Sequence, residues 1–365
     1  MKNIYEKEIG EEKLRILALD SGRDDFMKRE IGKILACNWP VIVVTNRLKI
    51  TNSLDKQENI ENIQVFSSKR EDLIRLRINI SLLGPVYLAQ ILELNQAQAD
   101  LLALVFSIAD QRGLYLYDIK DLRALLIYIG DKKKDFERGY GAISKSGLSS
   151  LIKKLVILER NHGDIFTDPS LDLGALDQEL YIFDLAGLED SPNLASALTF
   201  WLVTESFQLT RPLAIFIEDD WDLFKRLDKK LQEGLINKIK AGDLYIYLVY
   251  DQLKKADKKL LDQAGLIEKE NLEDLDLDFV WTLGKNQINQ TGLRDKYSQG
   301  QDRFSAYEML SQRREEDLVE KRDSRPSSRR RSDTSFDRFT KNVASQMGRE
   351  IGRIISRTLF GNIRR

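Results

Sequence analysis

LYIFDLAGLEDSPNLASALTFWLVTESFQLTRPLAIFIEDDWDLF (180–224) reads as strand, helix, strand. Its outer runs, LYIFDL (180–185) and LAIFIED (213–219), are short, apolar, and rich in β-branched or aromatic residues. Runs with almost no polar alternation are strands buried on both faces of a parallel sheet. The segment between them, 192–208, has helical spacing. LRILAL (14–19), PVIVVT (40–45), IQVF (63–66) and LYIYLVY (244–250) repeat the strand pattern. Helical stretches at 25–37, 84–110, 120–129, 144–160 and 225–241 separate them, and FVWTL (279–283) reads as a late strand. This alternation predicts an α/β domain over 1–290 with a mainly parallel sheet. The interval from about 81 to 178 carries helical pattern and reads as a helical insertion.

After 290 the strand signals stop. A short helical segment containing SAYEML is expected within 291–321, and a basic Ser/Arg/Pro linker, expected to be disordered, at 322–335. Residues 336–365 have the spacing of a basic amphipathic helix. Phe336, Phe339, Val343, Met347, Ile351, Ile355 and Leu359 make its apolar stripe, and Arg349, Arg353 and Arg357 a basic one. Ala344, Gly348, Gly352 and Ser356 make a third stripe, of small residues that permit close helix approach.

The 365 residues hold 57 Lys+Arg against 58 Asp+Glu, a net charge of −1 that hides an asymmetry. Arg322 to Arg365 carries 12 basic and four acidic residues, net +8, which leaves the body at −9. The tail is therefore the part to test against anionic partners. One cysteine, Cys37, excludes an internal disulfide and a cysteine-cluster zinc site; it reads as a small core residue. One histidine, His162, excludes His-pair metal motifs and reads as a loop residue in the polar turn ERNHGD. No apolar run approaches the ~18 residues of a membrane span, and MKNIYEKEIGEEK has no signal-peptide core, so a cytoplasmic protein is expected.

Ligands of open α/β sheets bind beyond the carboxyl ends of the strands. The turn after the first strand, LALDSGRD (17–24), occupies the place of a phosphate loop, G-x-x-x-x-G-K-[ST], yet keeps only Gly22. Leu17 replaces the first glycine, Arg23 the lysine and Asp24 the Mg²⁺-binding hydroxyl, and Asp20 and Asp24 repel an anionic phosphate tail. Without phosphate chemistry it is a strand–turn–helix in which Asp20 or Ser21 caps. The acidic strand end, Glu218 and Asp219 followed by Asp220 and Asp222, has oxygen ligands for a divalent metal. A solvated acidic loop is the preferred reading. In KDLRALLIYIGD (120–131), Asp118 or Asp121 is expected to cap a helix with Leu122, Leu125 and Leu126 on its buried stripe.

Residues 84–131, with Leu94, Asn95, Gln98 and Lys120 to Ala124, resemble the helical region of bacterial HerA/FtsK-type helicase-like ATPases, in particular the YjgR-like group. Residues 140–173, the 191–207 helix, DRFSAYEML (302–310) and the tail continue the resemblance in order. It implies a RecA-like P-loop NTPase-type fold and places the nucleotide-binding turn at Ser21, Gly22, Arg23 and Asp24. It also implies that the family's Asp-Glu pair appears reversed, as Glu218–Asp219, and that its polar sensor is replaced by Tyr250–Asp251. Loss of the loop lysine and Mg²⁺ ligand removes charge neutralisation and metal placement. A degenerate member without hydrolysis, and with no cofactor, is expected to act as a scaffold or assembly partner, as a homo-oligomer or with an active relative. A divergent NTPase that uses ATP and Mg²⁺ through Arg23 and the carboxylates is the second reading. The third is a membrane-peripheral protein acting through 336–365 on an anionic surface. Nucleic acid ranks last for the tail, because no aromatic platform accompanies its arginines.

Overall fold

The computed structural model describes residues 14–18, 23–51, 63–176, 179–209, 212–218, 222–241, 244–250, 265–268, 281–284, 288 and 292–313. The expected linker and C-terminal helix lie outside these residues. The chain forms two compact units: Met1–Leu76 with Leu171–Gln299, and Arg77–Ser170 with Gly300–Arg365.

The first unit is built on an eight-stranded sheet. Its strands are β1 (Leu14–Ala18), β2 (Val41–Thr45), β4 (Gln64–Ser67), β5 (Ile74–Arg75), β6 (Leu180–Asp184), β7 (Leu213–Glu218), β8 (Leu244–Tyr250) and β9 (Gly265–Glu268). They run in the order β5-β4-β6-β2-β7-β8-β1-β9, and every pair is parallel. Such a sheet is covered on both faces, which is why β2, β6 and β7 are buried at every residue. One face carries Val41, Val43, Val65, Ile182, Phe216, Tyr247 and Val249 against Met27, Ile31 and Ile34 of helix α1 (Arg23–Ala36), with Cys37 packed at the margin. On the other face Phe66 stacks on Phe183 at 5.0 Å and meets the Tyr297 ring edge-on.

Three short strands escape the sequence pattern: β3 (Leu48–Thr51), β5 and β9. The late strand appears as β10 (Trp281–Gly284), paired in parallel with β3 in a separate two-stranded sheet. Among the described residues, the other helices of this unit include α7 (Pro192–Ser206), α8 (Leu223–Arg226), α9 (Lys229–Ala241) and α10 (Leu293–Ser298). The single helix expected at 225–241 is thus α8 and α9, split at Leu227, whose backbone is extended.

The second unit is helical: α2 (Ile80–Ile91), α3 (Gln96–Gln111), α4 (Ile119–Asp131), α5 (Lys133–Tyr140), α6 (Lys145–His162) and a returning helix α11 over 306–313. The helix expected over 84–110 is two helices. Glu93 turns left-handed (φ 48), and Asn95 starts α3 with a capping box, its side chain taking the Gln98 N–H while Gln98 takes the Asn95 N–H. Within α2 the chain kinks at Gly84-Pro85, where Gly84 has φ 75, a conformation glycine supplies without strain. His162 is the last, half-buried residue of α6 and not a loop residue. Asp118 caps α4, with Leu122, Leu125 and Leu126 buried as the spacing predicted.

Candidate functional site at the carboxyl edge of the sheet

All strands of a parallel sheet end on one edge, and four neighbours here end there on a polar residue: β4 on Ser67, β6 on Asp184, β2 on Thr45 and β7 on Glu218. Ser67 lies opposite Asp184, Asp184 opposite Thr45, and Thr45 one step past the Val44–Ile217 pair. Counting by twos from Val65, Ile182, Val43 and Phe216 puts the row on the face that α1 covers. On β8 the same row continues as Val249, so it turns apolar on the side of β1.

All four polar residues are buried; Glu218 is 3% exposed. They satisfy one another in pairs. The Thr45 hydroxyl donates to Glu218 Oε2 and accepts the Arg47 N–H at 3.0 Å. The Ser67 hydroxyl donates to Asp184 Oδ2 at 3.0 Å and accepts the Arg70 N–H at 3.0 Å, while the Ala186 N–H donates to Asp184 Oδ1 at 3.1 Å. Burial pushes the Asp184 carboxyl above its ordinary range, against the pull of the Ala186 and Ser67 hydrogen bonds. The turns after β4 and β6 pass closely: a Cβ on Gly187 would stand 2.5 Å from Lys69 Cβ. Just past β2 and β4, Asn46 Oδ1 and Ser68 Oγ are buried without a hydrogen-bond partner among the described residues, leaving unused acceptors at this edge.

Glu218 is therefore not part of a solvated acidic loop, as the charge run suggested. It is a strand-end carboxylate inside the protein, because the register carries it beneath the row of Thr45. Asp222 does lie on the surface, left-handed (φ 54) and ion-paired with Lys225 at 3.1 Å. Arg23 and Asp24 open α1 on the same edge. Tyr250 ends β8, the strand between β7 and β1, opposite Ala18. Ser21, Gly22, Asp219, Asp251, Gly348, Arg349, Gly352, Arg353 and Arg357 lie outside the described residues. Glu218 and Asp184, two strands apart, are separated by about 10 Å, too far to share one cation. Among the described residues no three His, Cys, Asp or Glu side chains converge as a metal site.

Thr45, Ser67 and Asp184 were missed in the sequence reading. Their only signal is one polar residue closing an otherwise apolar run, in VIVVT, QVFS and LYIFD. Thr45→Val keeps the shape and leaves a buried carboxylate short of a donor, so a cost of about 2 kcal/mol is expected. Glu218→Gln, which still accepts from Thr45, should cost under about 1 kcal/mol. Urea denaturation of both variants decides it, and an unchanged Thr45→Val midpoint would show the pair contributes nothing.

A parallel sheet with its polar row at the carboxyl edge, and one strand between the acidic strand end and the strand leading to the helix-opening turn, defines a P-loop NTPase type of domain. The sequence model of the family described as Helicase HerA-like C-terminal matches residues 34–234, and the chain belongs to that family. Solved structures with similarity include the bacterial conjugative coupling protein TrwBdeltaN70 in complex with sulphate, at 12% identity and a TM-score of 0.42. That alignment covers 69% of this chain and 65% of the other. VirB4 of Thermoanaerobacter pseudethanolicus gives 14% identity, a TM-score of 0.42, and 66% and 70% coverage. A search of curated proteins gives no match. Among the described residues no helix is long and apolar enough to cross a membrane.

Proposed function

We propose that this chain is a HerA-like protein that has given up ATP hydrolysis and works as an assembly partner, in a complex with its own copies or with an active relative. The observation that carries the reading is the start of α1. The two residues from which the family's lysine and hydroxyl would reach phosphate and Mg²⁺ are Arg23 and Asp24. An aspartate there repels the phosphate tail and supplies no hydroxyl at that position to orient the metal. The buried Thr45–Glu218 pair supports the same reading, since an oxygen that would serve Mg²⁺ or the attacking water is engaged internally. Mg²⁺ with ATP thus fits these residues poorly.

The test is equilibrium binding of a fluorescent ATP analogue with Mg²⁺, competed by unlabelled ATP to millimolar levels, beside a thermal-shift titration. No competable binding and no rise in melting temperature are expected, because an occupied site stabilises by mass action. ATP turnover abolished by Glu218→Gln would overturn the proposal and make this a divergent NTPase.

A further inference from the structure

The second unit carries an exposed aromatic patch that the nucleotide site does not involve. Phe304, just before α11, and Tyr307, in its first turn, are 51% and 42% exposed. Lys120 Nζ sits 4.7 Å from the Tyr307 ring centre. Arg303 lies over Tyr117 at 5.8 Å, and Tyr117 stacks on Tyr115. The charges around this patch do not balance. Lys120 is ion-paired with three carboxylates, Asp118 at 3.9 Å, Asp302 at 3.2 Å and Glu308 at 3.5 Å, while Arg303 is spent on the buried Asp168 at 3.0 Å. Among the described residues one lysine faces three acids, with Asp302 the most open of them at 75%. Partly exposed aromatic rings beside surplus carboxylates suit a cationic, partly apolar partner, for which ion pairing and contact with the ring edges act together. They repel a phosphate backbone or an anionic bilayer.

We propose that this patch receives the chain's own C-terminal segment, 336–365. That segment holds seven basic and two acidic residues, with Arg349, Arg353 and Arg357 four apart beside an apolar stripe. The 22 residues from 314 to 335 reach up to about 70 Å when extended, whereas Tyr307 lies about 9 Å of helix before Arg313, the last described residue. Tethering over so short a gap gives effective concentrations on the order of millimolar, so a weak complementary contact is occupied. The other exposed apolar pair, Val156 and Ile157 on α6, shares its face with Lys153 and Arg160 and repels the same arginines. The proposal is independent of whether nucleotide binds.

The test uses the full chain with photo-reactive benzoylphenylalanine at position 304, cross-linked at about 50 and about 500 mM NaCl and mapped by mass spectrometry. Cross-links from 304 to peptides of 336–365 within one chain are expected, falling several-fold at high salt and with Asp302→Lys. Cross-links only to other parts of the chain, or none, overturn the proposal. So does a yield indifferent to both salt and Asp302→Lys. An equimolar mixture of isotopically light and heavy chains separates docking within one chain from docking between chains: cross-links joining light to heavy copies place the segment on a second molecule and overturn the intramolecular docking.

Discussion

Asp121→Ala should loosen the second unit by roughly 3–5 kcal/mol, a large share of the roughly 5–15 kcal/mol that holds a domain folded. Asp121 has no exposed surface. Its Oδ2 accepts the N–H groups of Tyr117 at 2.8 Å and Asp118 at 3.1 Å, at the start of α4. Its Oδ1 accepts the Tyr307 N–H at 2.9 Å and the Ser305 hydroxyl, at the start of α11. One buried carboxylate therefore caps two helix N-termini, and the positive ends of both helix dipoles face it. Alanine leaves three partly buried backbone donors without their acceptor, while the Ser305 hydroxyl keeps Glu308 as its partner. Hydrogen exchange should show lost protection at Tyr307 and Met309 before the rest of the unit opens.

The isosteric Asp121→Asn separates charge from geometry. An amide accepts on one side only, so either the Tyr307 N–H or the Tyr117 and Asp118 pair faces an NH₂ group; about 1–3 kcal/mol is the expected cost. Burial pushes Asp121 up to about 6 from 3.8, against hydrogen bonds from Ser305, Tyr307 and Asp118 that pull it down. A carboxyl raised on folding contributes stability that is complete below the unfolded value and is lost as pH rises through the folded one. The wild-type unit should thus gain about 1 kcal/mol between pH 7.5 and 5. Glu308, held below its usual range, stays ionised across that window. Asp121→Asn should be flat over the same range, and an equal pH response in both proteins would remove Asp121 as the titrating group.

In the first unit, Phe216→Ala is expected to cost about 3–5 kcal/mol. Phe216 has no exposed surface, lies in the middle of β7, and stacks on Tyr247 at 4.2 Å with the rings 6° from parallel. Neither β8 nor β2 can move into the space, since each is held on both sides by ladder hydrogen bonds, so a cavity remains. Phe216→Leu should recover more than half of the loss. A urea midpoint for Phe216→Ala within error of wild type would mean that this sheet is less tightly packed than its burial implies.

The major strands were legible in the sequence because a strand covered on both faces has to be apolar throughout, and PVIVVT and LYIYLVY are. LKIT and GLIE were not, being four residues each and no more apolar than a loop. The break between α2 and α3 was written in Leu94, Asn95 and Gln98, but a continuous helical period on either side hid it. At the site, Glu218 stood out as an acid after a hydrophobic run, whereas its burial did not: that depends on Thr45, 173 positions away, lying beside it across a strand register. Asp121 was visible as a local cap. Its second helix starts 184 residues later, beyond any local pattern.

That separation has a consequence for synthesis. The ribosome delivers Asp121 early and its partners Ser305 and Tyr307 only after the whole sheet of the first unit. A nascent or prematurely ended chain stopping short of Ser305 carries all the described strands yet keeps an acid meant for two helices serving one. The residues that complete the Asp121 cap follow the described strands of the first unit, so closure of the helical unit waits for Ser305 and Tyr307.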